Sequence, residues 1–430
     1  MLTNPFSSTN SSDSAQTQSL KTERRCRFCT SSLGEPFLDL GTQPLANSYL
    51  RIEDVAFEQE HPLRVFLCPS CSLVQLSDYE AAENIFSDNY AYFSSYSESW
   101  LRHAKDYTDI VTERFSLNPA SFVIEIASND GYLLQYFKQK GIPVLGVEPT
   151  GNTARVAIDK GIPTLVKFFG EQTARDLAAE GKNADLLLGN NVLAHVPQLN
   201  DFVKGMKIIL KPEGVITMEF PHLLQLVEQN QFDTIYHEHF SYYSCSVVEK
   251  VFAAQGLTLF DVEELPTHGG SLRIYVRHTE NTSLPVTERM GALKKREADA
   301  GLFGKERYQE FTKKVEKVKL GLLAFLEKAH AEGKTVACYG APAKGNTLLN
   351  YCGVTAEDVT FTVDRSPHKQ NLLLPGSHIP IDSPERVKRD KPDYLLILPW
   401  NLKDEIAGQM SFIREWGGKF VVPIPEIRVW

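Results

Sequence analysis

Long apolar runs and an excess of basic residues are both missing from this sequence. No uninterrupted apolar stretch approaches the length that crosses a bilayer. Lysine and arginine number 45 against 54 aspartate and glutamate residues, a formal charge of −9. That balance argues against a general nucleic-acid-binding surface but leaves room for a local basic pocket that holds a small anion. The first residues, Met1 to Pro5, have neither the basic start nor the apolar core of a secretory signal. From the charge balance and the lack of long apolar runs, we expect neither a nucleic acid nor a membrane as partner.

Cysteine is also scarce, with seven residues in 430, which is too few for a disulfide scaffold. Four of them form two close pairs, Cys26 with Cys29 and Cys68 with Cys71. Two such pairs can give four thiolates to one tetrahedral zinc ion, and a closed site of this kind holds a fold without doing chemistry. The alternative is two pairs of buried free thiols. The zinc interpretation implies a reducing, cytoplasmic location.

The chain is too long for one ordinary core and indicates two or three domains of the α/β class. Residues 1–24 are rich in Ser, Thr, Gln and Asn, so we expect a disordered tail. Beyond it the patterns predict a zinc-binding domain at 25–85, a central domain at 86–285, and a C-terminal α/β domain at 286–430. The last domain begins with a long amphipathic linker helix over Glu288–Glu332.

A glycine-rich dinucleotide fingerprint is missing from the first βαβ unit. The strand Ser121–Ile126 leads into the small-residue turn Ala127–Gly131, and the second strand ends at Glu148, where a carboxylate can accept from ribose hydroxyls. The cofactor therefore need not carry a pyrophosphate, and an adenosyl sulfonium fits the turn. Glu125 suits its cationic sulfur, although a nicotinamide enzyme with a degenerate fingerprint stays open.

The third strand, Ala184–Leu188, feeds polar residues into the same carboxyl edge of the sheet, namely Asn190, Asn191 and His195. The candidate cofactor residues are Glu125, Ala127, Ser128, Asn129, Asp130, Gly131, Glu148, Asn190 and Asn191.

One stretch, residues 233–241, is unusually dense in groups that exchange protons near neutral pH, with Tyr-His-Glu-His at 236–239. Two histidines flanking a carboxylate could bind a metal, but the helical zinc-protease pattern needs a second histidine where this chain has Ser241. Proton transfer, metal ligation and a plain polar loop all stay open from these residues alone.

A second α/β unit has a strand at Thr335–Tyr339 and a turn at Gly340–Thr347 that contains Lys344. Glycines, a lysine and a helix start make a plausible phosphate cradle, although the spacing is not that of a P-loop. Incidental surface bases are the alternative. The candidate anion-binding residues are Gly340, Lys344, Asn346, Arg365, His368 and Lys369.

The order of these modules, with Tyr-Gly-Ala-x-Ala-Lys-Gly-Asn-Thr at 339–347 and Tyr-His-Glu-His at 236–239, resembles the deoxysugar C-methyltransferases. The likeness is greatest to the 3-C-methyltransferases of nucleotide-linked 4-keto sugars in antibiotic sugar biosynthesis. It implies a class I methyltransferase Rossmann-like domain between a small zinc-binding domain and a C-terminal Rossmann-like domain. It also implies S-adenosylmethionine, structural zinc, a nucleotide diphosphate keto sugar as substrate, and a monomer or homodimer.

The resemblance also implies individual roles. His239 is the favoured base, Tyr236 or His195 donates to the enolate oxygen, and Glu238 orients a histidine. Tyr90 is expected beside the sugar as well. Ala127 departs from the glycine of many relatives but is still small. The rival functions are a nicotinamide-dependent sugar oxidoreductase or epimerase and a non-enzymatic zinc-ribbon interaction protein.

Overall fold

The computed structural model describes residues 24–77 and 93–430. The predicted tail up to residue 23 and the predicted site residue Tyr90 lie outside the described residues. The strands are β1 (Leu38–Pro44), β2 (Glu60–Leu67), β3 (Val74–Leu76), β4 (Val123–Ile126), β5 (Val144–Val147), β6 (Thr164–Leu165), β7 (Ala184–Asn190), β8 (Leu210–Pro221), β9 (Ser241–Tyr242), β10 (Leu257–Leu265), β11 (Ser271–His278), β12 (Val336–Tyr339), β13 (Thr362–Val363), β14 (Ile381–Asp382), β15 (Tyr394–Ile397), β16 (Lys419–Val422) and β17 (Arg428–Val429).

Helices connect most of these strands. The α-helices are α1 (Glu98–Arg114), α2 (Leu134–Gln139), α3 (Gly151–Asp159), α4 (Glu171–Ala179), α5 (Leu199–Ile209), α6 (Leu223–Glu228), α7 (Cys245–Ala253), α8 (Glu288–Asp299), α9 (Lys305–Ala331), α10 (Ala343–Cys352), α11 (Glu385–Asp390) and α12 (Lys403–Gln409). Short 3-10 turns lie at Ile52–Phe57, Ser94–Tyr96, Leu193–His195, Phe232–Thr234, Thr267–Gly269, Trp400–Leu402 and Ser411–Trp416.

The N-terminal sheet is antiparallel in the order β1-β2-β3-β9. Its last strand comes from the stretch that follows the Tyr-His-Glu-His run, far along the chain. The sheet therefore extends beyond the segment 25–85 that the sequence predicts for this domain. The pairing of Val74 with Tyr242 fixes the polar run against the zinc-binding module.

The central sheet has the order β10-β11-β8-β7-β4-β5-β6. Strands β4 to β8 run parallel, and β11 is inserted antiparallel to both neighbours. All four residues of β4 are buried, as expected for a parallel strand covered on both faces. The Lys-Pro-Glu-Gly stretch at 211–214 is part of β8, which pairs with β7 from Leu210 across a register irregularity.

The C-terminal sheet, in the order β14-β13-β12-β15-β16-β17, is parallel except for its last strand. It confirms the predicted second α/β unit. In parallel sheets of this kind, the carboxyl ends of the strands form the edge where ligands bind. The carboxyl edges of the central and C-terminal sheets both contribute residues to one cavity.

The predicted single linker helix is wrong. Two helices, α8 and α9, replace it, because Gly301 adopts the left-handed conformation with φ +74° and stops α8. Helix α9 buries Phe311, Val315 and Leu322 along one face, as the sequence periodicity predicts. Within the described part of the chain, no helix combines the length and apolarity needed to span a membrane.

Candidate functional site

A cavity of about 410 Å³ lies where the three sheets meet. Asn47 of the N-terminal module, Glu148 and His195 of the central sheet, and Lys344 of the C-terminal domain all line it. Tyr236, Glu238 and His239 lie in the same wall, so the cavity brings together the cofactor turn, the polar run and the predicted anion-binding turn.

The polar run is held from outside its own domain. The Thr347 hydroxyl, on α10, donates to the carbonyl of Ile235 at 2.9 Å. The indole of Trp400 donates to buried Asp233 at 2.7 Å. With β9 paired to β3 on the other side, the conformation of the run depends on both flanking domains.

The ring of His239 is fixed at both nitrogens. Its Nδ1 lies 2.8 Å from the carbonyl oxygen of Thr234, and its Nε2 lies 2.9 Å from the hydroxyl of Tyr236. A carbonyl can only accept, so Nδ1 carries the proton and Nε2 keeps its lone pair. Burial, and then the neighbouring His195, hold the pKa of His239 well below its usual value. The imidazole is therefore neutral, with a basic nitrogen in the cavity wall.

His195 packs edge-on against His239, with 4.7 Å between ring centroids. It follows β7 on a 3-10 turn, and burial lowers its pKa to about 4. His195 lines the same cavity as His239.

The backbone of Glu238 accepts a hydrogen bond from the His195 ring. The Glu238 carboxylate accepts from Nδ2 of Asn47 at 2.7 Å, and the Thr234 carbonyl orients the ring of His239. His237, for which the sequence indicates only a local structural role, bonds the carbonyl of His61 in β2 at 3.1 Å.

The cofactor turn contributes a subset of its predicted residues to the cavity wall. Glu148, at the end of β5, accepts from the backbone N–H of Asn129 and of Thr150, each at 2.9 Å. It thereby ties the turn to the next loop. Ala127 has φ +54°, a conformation natural to glycine, which explains why a small residue is needed there. The predicted cofactor residues in the wall are Ala127, Asn129, Glu148, Asn190 and Asn191.

The other predicted cofactor residues are buried and do not line the cavity: Glu125, Ser128, Asp130 and Gly131. Burial, followed by the charges of Glu148 and Asp130, raises the pKa of Glu125 well above its usual value. The expected contact of Glu125 with a cationic sulfur is therefore not supported. A side chain on Gly131, which has φ +75°, would meet Ile162 at 3.0 Å, so Gly131 serves the packing of the turn.

Of the predicted anion-binding residues, Lys344 and Lys369 line the cavity. Burial lowers the pKa of Lys344 to about 8, while its amine contacts Asn401 and lies 4.3 Å from the centre of the Trp400 ring. Lys369 donates to the carbonyl of Ala341 at 2.8 Å.

The remaining anion-binding candidates are placed elsewhere. Asn346 is buried and donates to the carbonyl of Ala46, so it joins two domains. Gly340 packs against Pro399, and a Cβ there would come within 2.6 Å of that ring. Arg365 and His368 are exposed and lie outside the cavity wall, with His368 3.1 Å from the Tyr96 hydroxyl.

Sequence reasoning missed two wall residues. Asn47 lies in a loop of the N-terminal module, and no spacing signal links it to Glu238. His268 lies within the 3-10 turn Thr267–Gly269 between β10 and β11. It has φ +54°, and its Nε2 lies 3.0 Å from Nδ2 of Asn191. Burial lowers its pKa to about 4. A histidine before two glycines in a hairpin turn was the available signal for this residue.

The four paired cysteines converge. Their sulfur atoms all lie within 4.8 Å of one another, with Cys26 to Cys71 at 3.6 Å and Cys29 to Cys68 at 3.4 Å. A tetrahedral zinc with Zn–S bonds of about 2.3 Å needs sulfurs about 3.8 Å apart, so the set fits a closed zinc site. The amide of buried Gln75 donates to the Cys26 sulfur at 3.1 Å, which stabilises a thiolate. Across residues 24–77 and 93–430, these cysteines are the only group of three or more potential ligands that converges, so the described part of the Tyr-His-Glu-His region offers no second metal centre.

Comparison with known proteins agrees with this architecture. Residues 26–86 match the family described as "Putative zinc binding domain", residues 99–262 match "Methyltransferase domain", and residues 266–425 match "C-methyltransferase C-terminal domain".

Among curated relatives, the chain is 36% identical to the C-methyltransferase NovU of Streptomyces niveus over 407 residues, 94% of this chain and 96% of that protein. A 95-residue stretch, 22% of this chain and 38% of the relative, is 30% identical to the ubiquinone biosynthesis O-methyltransferase of Bartonella tribocorum. Among solved structures, the PH0226 protein of Pyrococcus horikoshii covers 44% of this chain and 95% of its own, with 17% identity and a TM-score of 0.36.

These matches exclude the oxidoreductase and the non-enzymatic interpretations as the main function. The methyltransferase domain and the converging cysteines account for S-adenosylmethionine and zinc as its two cofactors. The chain therefore belongs to the S-adenosylmethionine-dependent C-methyltransferases that carry an N-terminal zinc-binding domain and a C-terminal Rossmann-like domain.

Proposed function

We propose that this enzyme methylates C3 of a nucleotide-linked 4-keto deoxysugar through an enolate. The observation that carries the proposal is the neutral His239, with its Nε2 lone pair beside the Tyr236 hydroxyl, in a cavity shared by the cofactor turn and two lysines. Carbon becomes nucleophilic only when a neighbouring carbonyl acidifies its C–H bond. A positioned neutral imidazole is the group that this chemistry requires.

In the proposed reaction, Nε2 of His239 accepts the proton from C3, and the C–H electron pair becomes the enolate. The Tyr236 hydroxyl leaves Nε2 and donates to the enolate oxygen at C4, and the neutral His195 ring lies in the same wall. S-adenosylmethionine, when bound, supplies the electrophilic methyl group that the enolate carbon takes. The Thr234 carbonyl stabilises the imidazolium formed on His239 through Nδ1–H.

The sugar end and the nucleotide end are proposed to lie at opposite sides of the cavity. His195, Tyr236 and His239 surround the reacting ring, while Lys344 and Lys369 face the diphosphate. The exposed pair Arg365 and His368 can add charge only at the outer rim, for a longer ligand. Tyr90 remains a proposed neighbour of the sugar.

We also propose a division into domains at 25–85, 86–285 and 286–430. Strand β9 belongs to the central segment but is part of the N-terminal sheet. A cytoplasmic location and a monomeric or homodimeric state belong to the same proposal. Four reduced thiolates bound to zinc persist in a reducing compartment, which supports the location.

A panel of nucleotide diphosphate 4-keto deoxysugars, incubated with S-adenosylmethionine and followed by mass spectrometry, tests the substrate. We expect a gain of one methyl group on at least one member. A parallel incubation in D2O with S-adenosylhomocysteine should show exchange of the C3 hydrogen, because enolisation precedes transfer. The proposal would be refuted if the methyl group were found on oxygen. It would also be refuted if the enzyme methylated other keto compounds but none of the nucleotide sugars.

A further inference from the structure

The loop that carries Asn47 leaves the N-terminal module and is held by the C-terminal domain. Asn346 donates from Nδ2 to the carbonyl of Ala46 at 2.7 Å. Leu50 and Leu373 exchange two backbone hydrogen bonds, at 3.2 and 2.8 Å. The loop backbone on either side of Asn47 is therefore fixed by another domain.

Tyr49 also attaches this loop to the C-terminal domain. The Tyr49 hydroxyl donates to the carbonyl of Ala341 at 2.6 Å, and the Lys369 amine lies 4.9 Å from the centre of its ring. Asn47 thus reaches the cavity from a loop held on both sides, which limits the entropy cost of placing its amide.

The side-chain amide of Asn47 hydrogen-bonds Glu238 of the polar run. Its Nδ2 donates to Oε1 of Glu238 at 2.7 Å, and Glu238 is 3% exposed. A carboxylate that accepts from a fixed amide keeps its charge and its orientation better than one left to turn freely. Glu238 lines the same cavity as His195 and His239.

We propose that Asn47 is a positioning residue, through which the zinc-binding module fixes the orientation of the Glu238 carboxylate in the wall of the active site. The module is then a wall of the active site as well as a structural unit. This inference goes beyond the reaction itself and depends on methyl transfer, not on which sugar is the acceptor.

Three variants test it. Asn47→Ala should lower kcat about 10- to 100-fold, the loss expected when a hydrogen bond to a charged group is removed, with the affinity for S-adenosylhomocysteine unchanged. Ser48→Ala, on the same loop but at an exposed position, should leave kcat unchanged. In a Glu238→Gln background, Asn47→Ala should cost no more than about twofold, because the charged partner is gone.

Asn47→Asp adds a readout that loss of structure would not produce. A second carboxylate beside Glu238 disfavours the state in which both are ionised, so the acid limb of kcat/KM should move to higher pH. The titratable groups that share the cavity wall with Glu238 are Tyr132, Glu148, His195, Asp201, Tyr236, His239, His268, Lys344 and Lys369.

An equal cost of Asn47→Ala in both backgrounds, or an unmoved acid limb in Asn47→Asp, would overturn the positioning role. The thermal midpoint of each variant shows whether lower activity comes from a less stable fold or from a slower reaction. If Asn47→Ala is unstable, Asn47→Asp still tests the proposal. Methylation of some other keto acceptor by the wild type would refute the proposed sugar substrate while leaving this test fully usable.

Discussion

The Nδ1 of His239 lies 2.8 Å from the carbonyl oxygen of Thr234, five residues earlier in the chain. This contact sets the tautomer and leaves Nε2 as the base. His239→Ala should therefore lower kcat by about 10²- to 10⁴-fold, the usual contribution of a general base. Calorimetry should show nearly unchanged affinity for S-adenosylhomocysteine, because the ring is not part of the cofactor turn.

The neighbouring His237 provides the matched control for that experiment. It binds the His61 carbonyl and lies outside the cavity wall. His237→Ala should reduce the free energy of unfolding by about 1–3 kcal/mol while leaving kcat nearly intact. Normal turnover in His239→Ala would exclude it as the base.

Tyr236→Phe removes the hydroxyl that bonds Nε2 of His239 and is proposed to donate to the enolate. We expect kcat to fall about 10²- to 10³-fold, and hydrogen exchange at C3 in D2O to slow in parallel, because both need the enolate. Tyr243→Phe is the control, since its buried hydroxyl donates to the Leu193 carbonyl at 3.2 Å and lies outside the cavity wall. Exchange at the wild-type rate in Tyr236→Phe would argue against the donor role.

His268→Asn tests the histidine that the sequence did not single out. Asparagine tolerates the left-handed backbone at φ +54°, so the hairpin should fold. Loss of the neutral imidazole from the cavity wall should lower kcat at least about tenfold, because removal of a hydrogen-bond donor from an active site has an effect of that order or larger. His278→Asn, at the other end of β11, should have no effect on kcat, and equal rates for the two variants would exclude a role for His268.

Acid should destabilise the fold between pH 6.5 and 4. Burial lowers the pKa of His195, His237 and His268 from 6.5 to about 4, so over that range the folded chain binds fewer protons than the unfolded chain. Their contribution is complete above pH 6.5 and is lost as pH falls, by at most roughly 3 kcal/mol for each group.

Buried carboxyls oppose this trend. Burial raises the pKa of Asp233 from 3.8 to about 6 and also raises the pKa of Glu125 and of Glu148, so their ionisation destabilises the fold as pH rises. Burial lowers the pKa of a fourth histidine, His239, as well, and urea unfolding at pH 4, 5, 6 and 7 should show stability rising with pH. His237→Gln should flatten that slope, and stability that is independent of pH would contradict the buried neutral state of these rings.

Zinc removal should disturb the structure of the polar run as well as that of the N-terminal module. The sheet that the zinc site supports includes β9, directly after His239, and carries the loop of Asn47. Chelation should lower the thermal midpoint and turnover together, and elemental analysis should find about one zinc per chain. Cys26→Ser should lose zinc, whereas Cys352→Ala, at a buried thiol in the C-terminal domain, should retain it. Full turnover of a metal-free, folded enzyme would contradict this coupling.

The sequence by itself determined the features that depend on short-range spacing. The two Cys-x-x-Cys pairs predicted one zinc site, and their sulfurs converge. The Val-, Ile- and Leu-rich strands, followed by small-residue turns, predicted both parallel sheets, because strand burial and turn chemistry are written locally in the chain. The density of proton-exchanging groups at 236–239 predicted a candidate site, and Tyr236, Glu238 and His239 line the cavity.

Tertiary structure alone decided which groups meet. Asn47, 191 positions before Glu238, donates to the Glu238 carboxylate, and the backbone carbonyl of Thr234 orients His239. Glu125 and Asn346 were expected in binding walls and lie buried behind them, because a turn shows only part of its residues to a cavity. Contacts across three domains depend on how the sheets pack, and no spacing within the chain encodes them.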